Sequence, residues 1–399
     1  MQPTGQDEAE RSRSPFEAFR REVMADAPMR AELASLLDAD AFVALAVSRA
    51  GERGIGLDAE EVARRVWAPG APDRPQAVEI APGWPPAGWL PSSVSHATAA
   101  GGDAPVVDWT HFAGEPLSEP FYEDSLRKAR ARPFNRVFRV RTALASLAAG
   151  APVDAPRPSG LIFHLSRAGS TLAAQMLAAV PAHVVVSEAP PIDDVLRLEA
   201  ATAGDPAGLL QAMVAALARG GAAGQRLFLK LESWHVLAGA VFRRAFADTP
   251  WVFIYRDPLE VLVSQMQRRG SHTVRGLLAA AIYGIAPEVP DDAYCALVLR
   301  RTCEAALAMF AGGGGLLVDY TELPQAMATR ILPHFGVAPG DAERALMTRV
   351  AGRDAKAPWQ RFAPDADAKR LAATPRLRRL VEQHLEEPYR ALEALRRQG

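Results

Sequence analysis

The sequence predicts an α/β fold in which a mostly parallel, doubly wound sheet is flanked by helices and preceded by a small all-helical domain. After Pro158, short apolar runs alternate with helical segments, and most of the runs are rich in residues that favour strands. Runs that are apolar throughout are typical of parallel strands buried on both faces. The predicted strands are Leu161–Leu165, Val184–Ser187, Leu227–Leu231, Trp251–Arg256 and Leu316–Tyr320. The predicted helices between them are Thr171–Val180, Leu209–Arg219, Pro258–Arg268 and Tyr294–Phe310.

The overall charge is close to neutral. The 399 residues include 45 Lys plus Arg and 46 Asp plus Glu, a net charge of −1. Nucleic-acid binding requires a basic surface, so no nucleic-acid partner is expected. Lysine is nonetheless rare, because only Lys128, Lys230, Lys356 and Lys369 occur.

Targeting and redox features indicate a cytoplasmic protein. Residues 1–14 are polar, unlike a secretion signal, and no apolar run approaches the ~20 residues of a membrane span. Cys295 and Cys303 would lie about 12 Å apart on a helix, too far for a disulfide. A reducing compartment and no membrane partner are expected.

The N-terminal segment, residues 14–68, is predicted to form four short helices. Ser14 and Pro15 suit the start of the first helix, and Asp58 followed by Glu61 predicts a capping box for the last. The stretches "FEAFRREVMADAPMRAELASLLDADAFVALAVSRAG" and "GLDAEEVARRV" resemble the Nif-type leader-peptide domain of some ribosomally made natural-product precursors. A generic helical appendage is the alternative.

The middle of the chain, residues 69–156, is predicted to be a linker followed by a packing subdomain. Residues 68–105 are rich in Pro, Gly and Ala, which favours an irregular segment that packs through Trp84 and Trp89. Helices are expected at Phe121–Ala129 and Val140–Ala148. The α/β domain then covers residues 157–399.

The first strand leads into a glycine-containing loop that opens a helix. Such a loop points backbone N–H groups at an anion at the carboxyl end of a strand. It is not a Walker A loop, because no Lys precedes Ser or Thr. An ordinary strand–turn–helix connection is the alternative. The loop residues are Ser166, Arg167, Ala168, Gly169, Ser170 and Thr171.

A second anion-binding corner is predicted at the end of the fourth strand. Arg256 ends that strand, Asp257 caps the next helix, and Ser264 lies two turns along it. Arginine is well suited to bind a phosphate through two hydrogen bonds. The alternative for Arg256 is a surface ion pair with Asp257 or Glu260.

Together the two motifs resemble those of the sulfotransferase family. "FHLSRAGSTLAAQML" is similar to the family's 5′-phosphosulfate loop and "YRDPLEVLVSQ" to its 3′-phosphate motif, and the resemblance covers roughly residues 157–335. It implies a fold related to P-loop kinases, the sulfuryl donor 3′-phosphoadenosine-5′-phosphosulfate (PAPS) as co-substrate, and no metal. No metal-ligand spacing is visible in the sequence.

Within the family the tyrosyl-protein branch is most similar. "AVPAHVVVSEAPPIDDVLRL" places Glu188 where that branch has a catalytic Glu, and "RLFLKLESWH" places Lys230 where the family has a Lys. The resemblance implies that Glu188 is the general base and that Arg167, Lys230 and Ser264 surround the transferring group. Glu232 is a rival base, and the small-molecule branch has a His in its position. His235 and His183 are further candidates.

Three features depart from these motifs or could be mistaken for them. Ala168 stands where the family usually has Ser or Gly, and the family's basic stretch near the C-terminus is replaced at best by Gly352–Phe362. The glycines of 312–315 precede a strand, so we interpret them as a connector.

The sequence therefore predicts transfer of a sulfuryl group from PAPS to an acceptor hydroxyl, with release of adenosine 3′,5′-bisphosphate. Glu188 and the leader-like helices point to a peptide or protein tyrosine as acceptor. A P-loop nucleotide-dependent kinase and a non-catalytic peptide-binding scaffold are the alternatives.

Overall fold

The structure is a computed structural model that describes residues 14–67, 80–81, 83–99, 102–198, 204–355 and 365–398. Two compact units are present. The first contains the residues up to Pro116 with Glu123–Ala155 and Ala212–Gly220. The second contains Leu117–Tyr122, Pro156–Gln211 and the residues from Gly221 onwards.

Four helices begin the first unit, as predicted: α1 (Pro15–Ala25), α2 (Ala27–Ser35), α3 (Ala39–Glu52) and α4 (Ala59–Trp67). The Ser14 hydroxyl accepts a hydrogen bond from the Glu17 backbone at 3.2 Å, which confirms the predicted cap of α1.

The core of these helices includes an aromatic residue from far along the chain. The rings of Phe16 and Phe19 each lie 6.2 Å from that of Phe138, and Phe42 lies 6.4 Å from it. Four short helices bury little apolar surface alone, so Phe138 supplies core that the N-terminal segment lacks. The chain division at residues 68 and 156 stays a prediction.

The first unit also contains a four-stranded sheet. Its strands are β1 (Ile80–Ala81), β2 (Trp89–Ala99), β3 (Gly102–His111) and β4 (Val140–Ala143), in the order β1-β4-β3-β2. The helices of this region are α5 (Tyr122–Ala131), α6 (Pro133–Val137) and α7 (Ala145–Ala149). The α5 helix agrees with the helix predicted at Phe121–Ala129.

Two predictions for the middle of the chain are wrong. Residues 89–99 form the edge strand β2 instead of an irregular linker; the edge position tolerates Pro91, next to a shift in register. The helix predicted at Val140–Ala148 begins only at Ala145, because β4 pairs with β3. A short apolar run is compatible with a helix or a strand. Here the run forms a strand because β3 is available to pair with it.

The second unit is built on a five-stranded parallel sheet, which confirms the predicted α/β fold. Its strands are β5 (Gly160–His164), β6 (His183–Ser187), β7 (Arg226–Lys230), β8 (Trp251–Tyr255) and β9 (Gly315–Asp319). Their order is β6-β7-β5-β8-β9, so the chain leaves the central strand β5 in one direction and later returns to its other side. All residues of β5 and β8 are buried, as their apolar runs predict.

The remaining helices of the chain follow in order. They are α8 (Ser170–Ala178), α9 (Pro190–Arg197), α10 (Pro206–Ala218), α11 (Gly239–Ala245), α12 (Pro258–Gln267), α13 (Ala280–Tyr283), α14 (Asp291–Ala311), α15 (Leu332–His334), α16 (Asp341–Ala351), α17 (Ala366–Ala372), α18 (Pro375–His384) and α19 (Glu386–Arg396). The glycines of 312–315 connect α14 to β9, as interpreted from the sequence. No helix in the described part of the chain is long and apolar enough to cross a membrane.

Candidate active site

The predicted site residues follow the carboxyl ends of the parallel strands. Glu188 comes directly after β6, Lys230 is the last residue of β7, and Arg256 comes directly after β8. The glycine loop follows β5, which lies between β7 and β8. All of them therefore lie along one edge of the sheet, the edge at which open α/β sheets bind ligands.

The loop after β5 needs glycine at position 169. Gly169 has φ = +84°, and a Cβ atom there would lie 2.9 Å from the Tyr320 ring and 3.0 Å from the Leu323 side chain. Both the backbone conformation and the space thus exclude larger residues. Helix α8 begins at the next residue, so its first N–H groups open toward the loop.

A buried glutamine holds this loop in place. The Gln265 amide donates to the Ser166 hydroxyl at 2.8 Å, and its oxygen accepts from the Gly270 backbone at 2.8 Å. Arg167 donates to the carbonyl of Arg268 at 2.8 Å, and burial lowers the pKa of its guanidinium. Gln265 was missed by the sequence analysis, although it directly follows Ser264 in the second motif.

Lys230 and Glu188 form a buried ion pair at the ends of β7 and β6. The Lys230 ammonium contacts the Glu188 carboxylate and lies 4.7 Å from the centre of the Phe121 ring. Its side chain is completely buried, whereas that of Glu188 is 16% exposed. The Glu188 backbone also donates to the Lys230 carbonyl at 2.7 Å. The structure therefore brings these two predicted residues together.

The backbone of Glu188 is strained. Its φ is +49°, and among the described non-glycine residues only Arg167 and Ala113 share a positive φ. Two of these three are predicted site residues. Strained backbone is costly and is often found at functional sites, which supports the assignment of this edge as the site.

His164, the last residue of β5, also reaches Glu188. Its Nε2 lies 2.8 Å from the Leu231 carbonyl and 3.4 Å from Glu188 Oε1. Burial lowers the pKa of His164. Burial by itself would raise the pKa of Glu188, but the charge of Lys230 and the hydrogen bond from His164 outweigh it and hold the pKa of that carboxyl well below its usual range.

The rival base Glu232 has a different environment. Burial, reinforced by the nearby charge of Glu188, raises the pKa of Glu232 to about 8. His235 engages a third carboxylate, because its Nε2 lies 3.4 Å from Asp193, which also accepts from the Trp234 indole at 2.6 Å. His183 is the first residue of β6, and therefore lies at the opposite edge of the sheet.

Arg256 is buried among acidic residues. Its Nε donates to Glu260 at 2.6 Å and its Nη2 to Asp365 at 2.8 Å, and its guanidinium lies 4.2 Å from the centre of the Tyr320 ring. The ion pair with Glu260 that the sequence left as an alternative is present, but it is buried rather than on the surface. Lys369 also contacts Asp365, at 2.7 Å.

These contacts define a cationic corner that already holds two carboxylates. Arg256, Lys369 and Arg370 surround Glu260 and Asp365, and Arg370 lies 2.9 Å from Glu260. Lys369 and Arg370, on α17, were missed because they stand in a C-terminal segment with no motif. Ser264 is buried on α12, and the stand-in segment Gly352–Phe362 lies largely outside the described residues.

Tyr320 connects the two corners. Its ring packs against Arg256 and occupies the space beside Gly169, so the loop after β5 and the corner after β8 are neighbours. Within the described ranges, no group of three or more His, Cys, Asp or Glu could hold a metal ion.

The fold is similar to those of solved sulfotransferases, at low identity. Sulfotransferase STF9 from Mycobacterium avium is 14% identical, with a TM-score of 0.40 over 60% of this chain and 78% of that one. The sulfotransferase domain from the curacin biosynthetic pathway is 15% identical, with a TM-score of 0.36 over 57% and 98%. The sulfotransferase domain of the Synechococcus PCC 7002 olefin synthase is 17% identical, with a TM-score of 0.34 over 58% and 96%.

No family profile and no curated protein match the sequence. The function is therefore inferred from the residues of the site.

Proposed function

We propose that this protein is a PAPS-dependent sulfotransferase that moves a sulfuryl group to an acceptor hydroxyl and releases adenosine 3′,5′-bisphosphate. The observation that carries this proposal is the pairing of a fully buried lysine with a strained glutamate beside a glycine loop, at the ligand-binding edge of a parallel sheet. A buried amine is costly unless it meets an anion; Glu188 supplies one in this structure, and a bound sulfuryl donor would supply a second.

The donor would be held at two places. The loop residues Ser166–Thr171 would surround its 5′-phosphosulfate with backbone N–H groups and hydroxyls, and Arg256 with Ser264 would bind its 3′-phosphate. The carboxylate of Asp365 on Arg256 supports an anion site there. Binding of the phosphate would exchange that contact.

Charge and positioning would do most of the catalytic work. Sulfuryl transfer should resemble phosphoryl transfer, with a loose, in-line transition state. Lys230 and Arg167 would stabilise the charge that develops on the bridging oxygen, with Ser264 close by. Glu188 either removes the acceptor proton or holds Lys230 in place.

The acceptor we propose is a tyrosine of a peptide or protein. The similarity of Glu188 to the catalytic Glu of the tyrosyl-protein branch and the leader-like helices support it. Turnover can be compared between a tyrosine-containing peptide, small phenols and sugars. Transfer to the small acceptors alone would contradict the peptide assignment and leave sulfuryl transfer intact.

Calorimetry with adenosine 3′,5′-bisphosphate tests the donor site. Arg256→Ala should weaken binding by roughly 2–5 kcal/mol, about 30-fold to several thousand-fold. Arg301→Ala, at a half-exposed position on α14, is the control and should leave affinity unchanged. Equal affinity in wild type and Arg256→Ala would remove the site assignment. Stabilisation by ATP with magnesium, and none by the bisphosphate, would favour a kinase instead.

A further inference from the structure

Two carboxylates accompany the amine of Lys230, and only one of them is engaged by it. Glu188 contacts the ammonium, lies 3.4 Å from His164 and is fixed by its own backbone hydrogen bond to Lys230. A carboxylate held in this way by an ammonium group has little remaining affinity for a proton. Glu188 is therefore well placed to orient Lys230 and poorly suited to act as a base.

Glu232 lies beside the same amine without such a partner. Glu232 lies two residues beyond Lys230, the last residue of β7, and its side chain is partly buried. No cation in the described part of the chain forms an ion pair with it. The charged and titratable groups around it are Lys230 from β7, Glu188 after β6, Asp193 from α9, Tyr283 from α13 and the neighbouring His235, whose backbone N–H donates to the Glu232 carboxylate. Three of these five groups are acidic and the one hydrogen bond comes from a neutral N–H group, so the surroundings favour a proton on this carboxylate.

The other polar groups around Glu232 are either occupied or orphaned. Asp193 accepts from Trp234 at 2.6 Å and from Arg197 at 3.1 Å. The Tyr283 hydroxyl is buried and has no hydrogen-bond partner among the described residues. A buried polar group without a partner is unusual, and a bound acceptor could supply the missing contact.

We propose that Glu232 is the catalytic base that receives the acceptor proton, and that Glu188, held by His164, is a positioning residue for Lys230. This inference rests on the proposed function. It assigns different tasks to two carboxylates that the sequence presents as rivals for one task.

The acceptor oxygen forms a bond to sulfur while the bond from sulfur to the 5′-phosphate oxygen breaks. The electron pair of the broken bond stays on the departing adenosine 3′,5′-bisphosphate, beside Lys230, and the acceptor proton passes to the Glu232 carboxylate. Glu232 then returns that proton to solvent, so no oxidant or metal is needed.

The electrostatics of the two groups agree with this division. A base must be ionised to act, and its strength rises with its pKa. Environments that push the pKa values of two neighbouring carboxyls apart often mark different roles. Burial and the charge of Glu188 raise the pKa of Glu232 to about 8, so the rate should increase as the pH rises through that value and then level off.

The pH dependence of kcat/KM in two matched variants tests the assignment, with 2-naphthol and a tyrosine-containing peptide as acceptor probes. Glu232→Gln should lower kcat/KM by about 100- to 10,000-fold and abolish the rising limb. Glu188→Gln should cause a smaller loss of kcat/KM and keep its rise with pH. That rise should move to lower pH, because Glu232 loses a neighbouring negative charge. His164→Gln, which keeps a donor near Nε2, should retain more activity than His164→Leu.

A second readout needs no acceptor. Infrared difference spectra between about pH 6 and about pH 10 should show the loss of one protonated carboxyl group in wild type and in Glu188→Gln, and no such loss in Glu232→Gln. This measurement remains decisive if neither acceptor is turned over.

The opposite pattern would overturn the inference: a limb abolished by Glu188→Gln and kept by Glu232→Gln, or an infrared signal that persists in Glu232→Gln. Failure of the proposed function would be a separate result. In that case the wild-type protein would not bind adenosine 3′,5′-bisphosphate, whichever carboxyl group titrates.

Discussion

Two buried cations at the same edge of the sheet, Lys230 and Arg256, are neutralised by different kinds of acidic partner. At the end of β7, Lys230 is completely buried and its carboxylate partner is the adjacent, strained Glu188. At the end of β8, Arg256 has two acidic partners, and one of them, Asp365, is half exposed and stands 109 residues away in the chain. The first pair is fixed by the sheet, whereas the second contains a partner that a ligand could replace.

Breaking the fixed pair should have the largest effect. Lys230→Met leaves Glu188 near the core without its cation, so we expect a loss of about 3–5 kcal/mol of unfolding free energy and at least about 1,000-fold in turnover. The double variant Lys230→Met/Glu188→Leu should regain most of the stability and none of the activity. Denaturant unfolding and kinetics measure both, with the exposed Lys128→Met as control. A single variant as stable as wild type would show that the pair is not buried as described.

In the loop after β5, which neighbours the corner at Arg256, glycine substitutions distinguish the cost of backbone strain from the cost of a steric clash. Gly169→Ala should destabilise the protein by roughly 1–3 kcal/mol and weaken nucleotide binding, because the new methyl group meets Tyr320. Gly276→Ala is a matched control, since Gly276 has the same φ of +84° and nothing within 4 Å of the added atom. The difference between the two measures the contact with Tyr320. Equal losses in thermal unfolding and equal affinities would mean that only the backbone conformation matters.

Removing the exchangeable partner should have a smaller effect, and of opposite sign. Asp365→Asn deletes the carboxylate that competes for Arg256, so affinity for adenosine 3′,5′-bisphosphate should rise by about two- to five-fold, as expected for a partly exposed pair. Asp367→Asn, on the same helix and exposed, should change nothing in calorimetry. Weaker binding by Asp365→Asn would show that Asp365 supports the corner and does not compete for it.

A further effect concerns the pH dependence of stability and distinguishes the two carboxylates. The pKa of Glu232 is raised from an ordinary 4.5 to about 8, so folding takes up a proton between these values and the unfolding free energy falls as the pH rises from 4.5 to 8. Glu232→Gln should flatten that decrease. Glu188, whose pKa is lowered, contributes stability that is lost only in acid. Denaturant titrations at several pH values measure the slopes, and an unchanged slope in Glu232→Gln would contradict the raised pKa.

The parallel sheet and the placement of the site residues could be predicted from the sequence. Strands buried on both faces leave uninterrupted apolar runs, and the residues that follow them must meet at one edge. Gly169 and Arg256 were found in this way, whereas Glu188 and Lys230 were found from the resemblance to the tyrosyl-protein branch.

What the sequence could not predict were the partners that lie far along the chain from these charges and the first sheet. Asp365 contacts Arg256 only because α17 packs against α12, and no local sequence pattern predicts that packing. Strand β2 contains Pro, Ser and Ala, whose composition favours loops; its long pairing with β3 decides its structure. His164 and Gln265 lie inside quoted motifs, but their roles depend on hydrogen bonds that cross the sheet edge.

The packing of Phe138 beneath the N-terminal helices has a practical consequence for protein engineering. A chain shortened to begin after Trp67 would leave the faces of Phe134 and Phe138 exposed to water, so its loss of function would report misfolding and not lost recognition of a peptide. Substitutions at Leu37, between α2 and α3, and at Trp67, the last residue of α4, which are 73% and 58% exposed, would alter the outer surface of this region and leave the packing around Phe138 intact. A graft of these helices onto another protein would have to include the segment around Phe138.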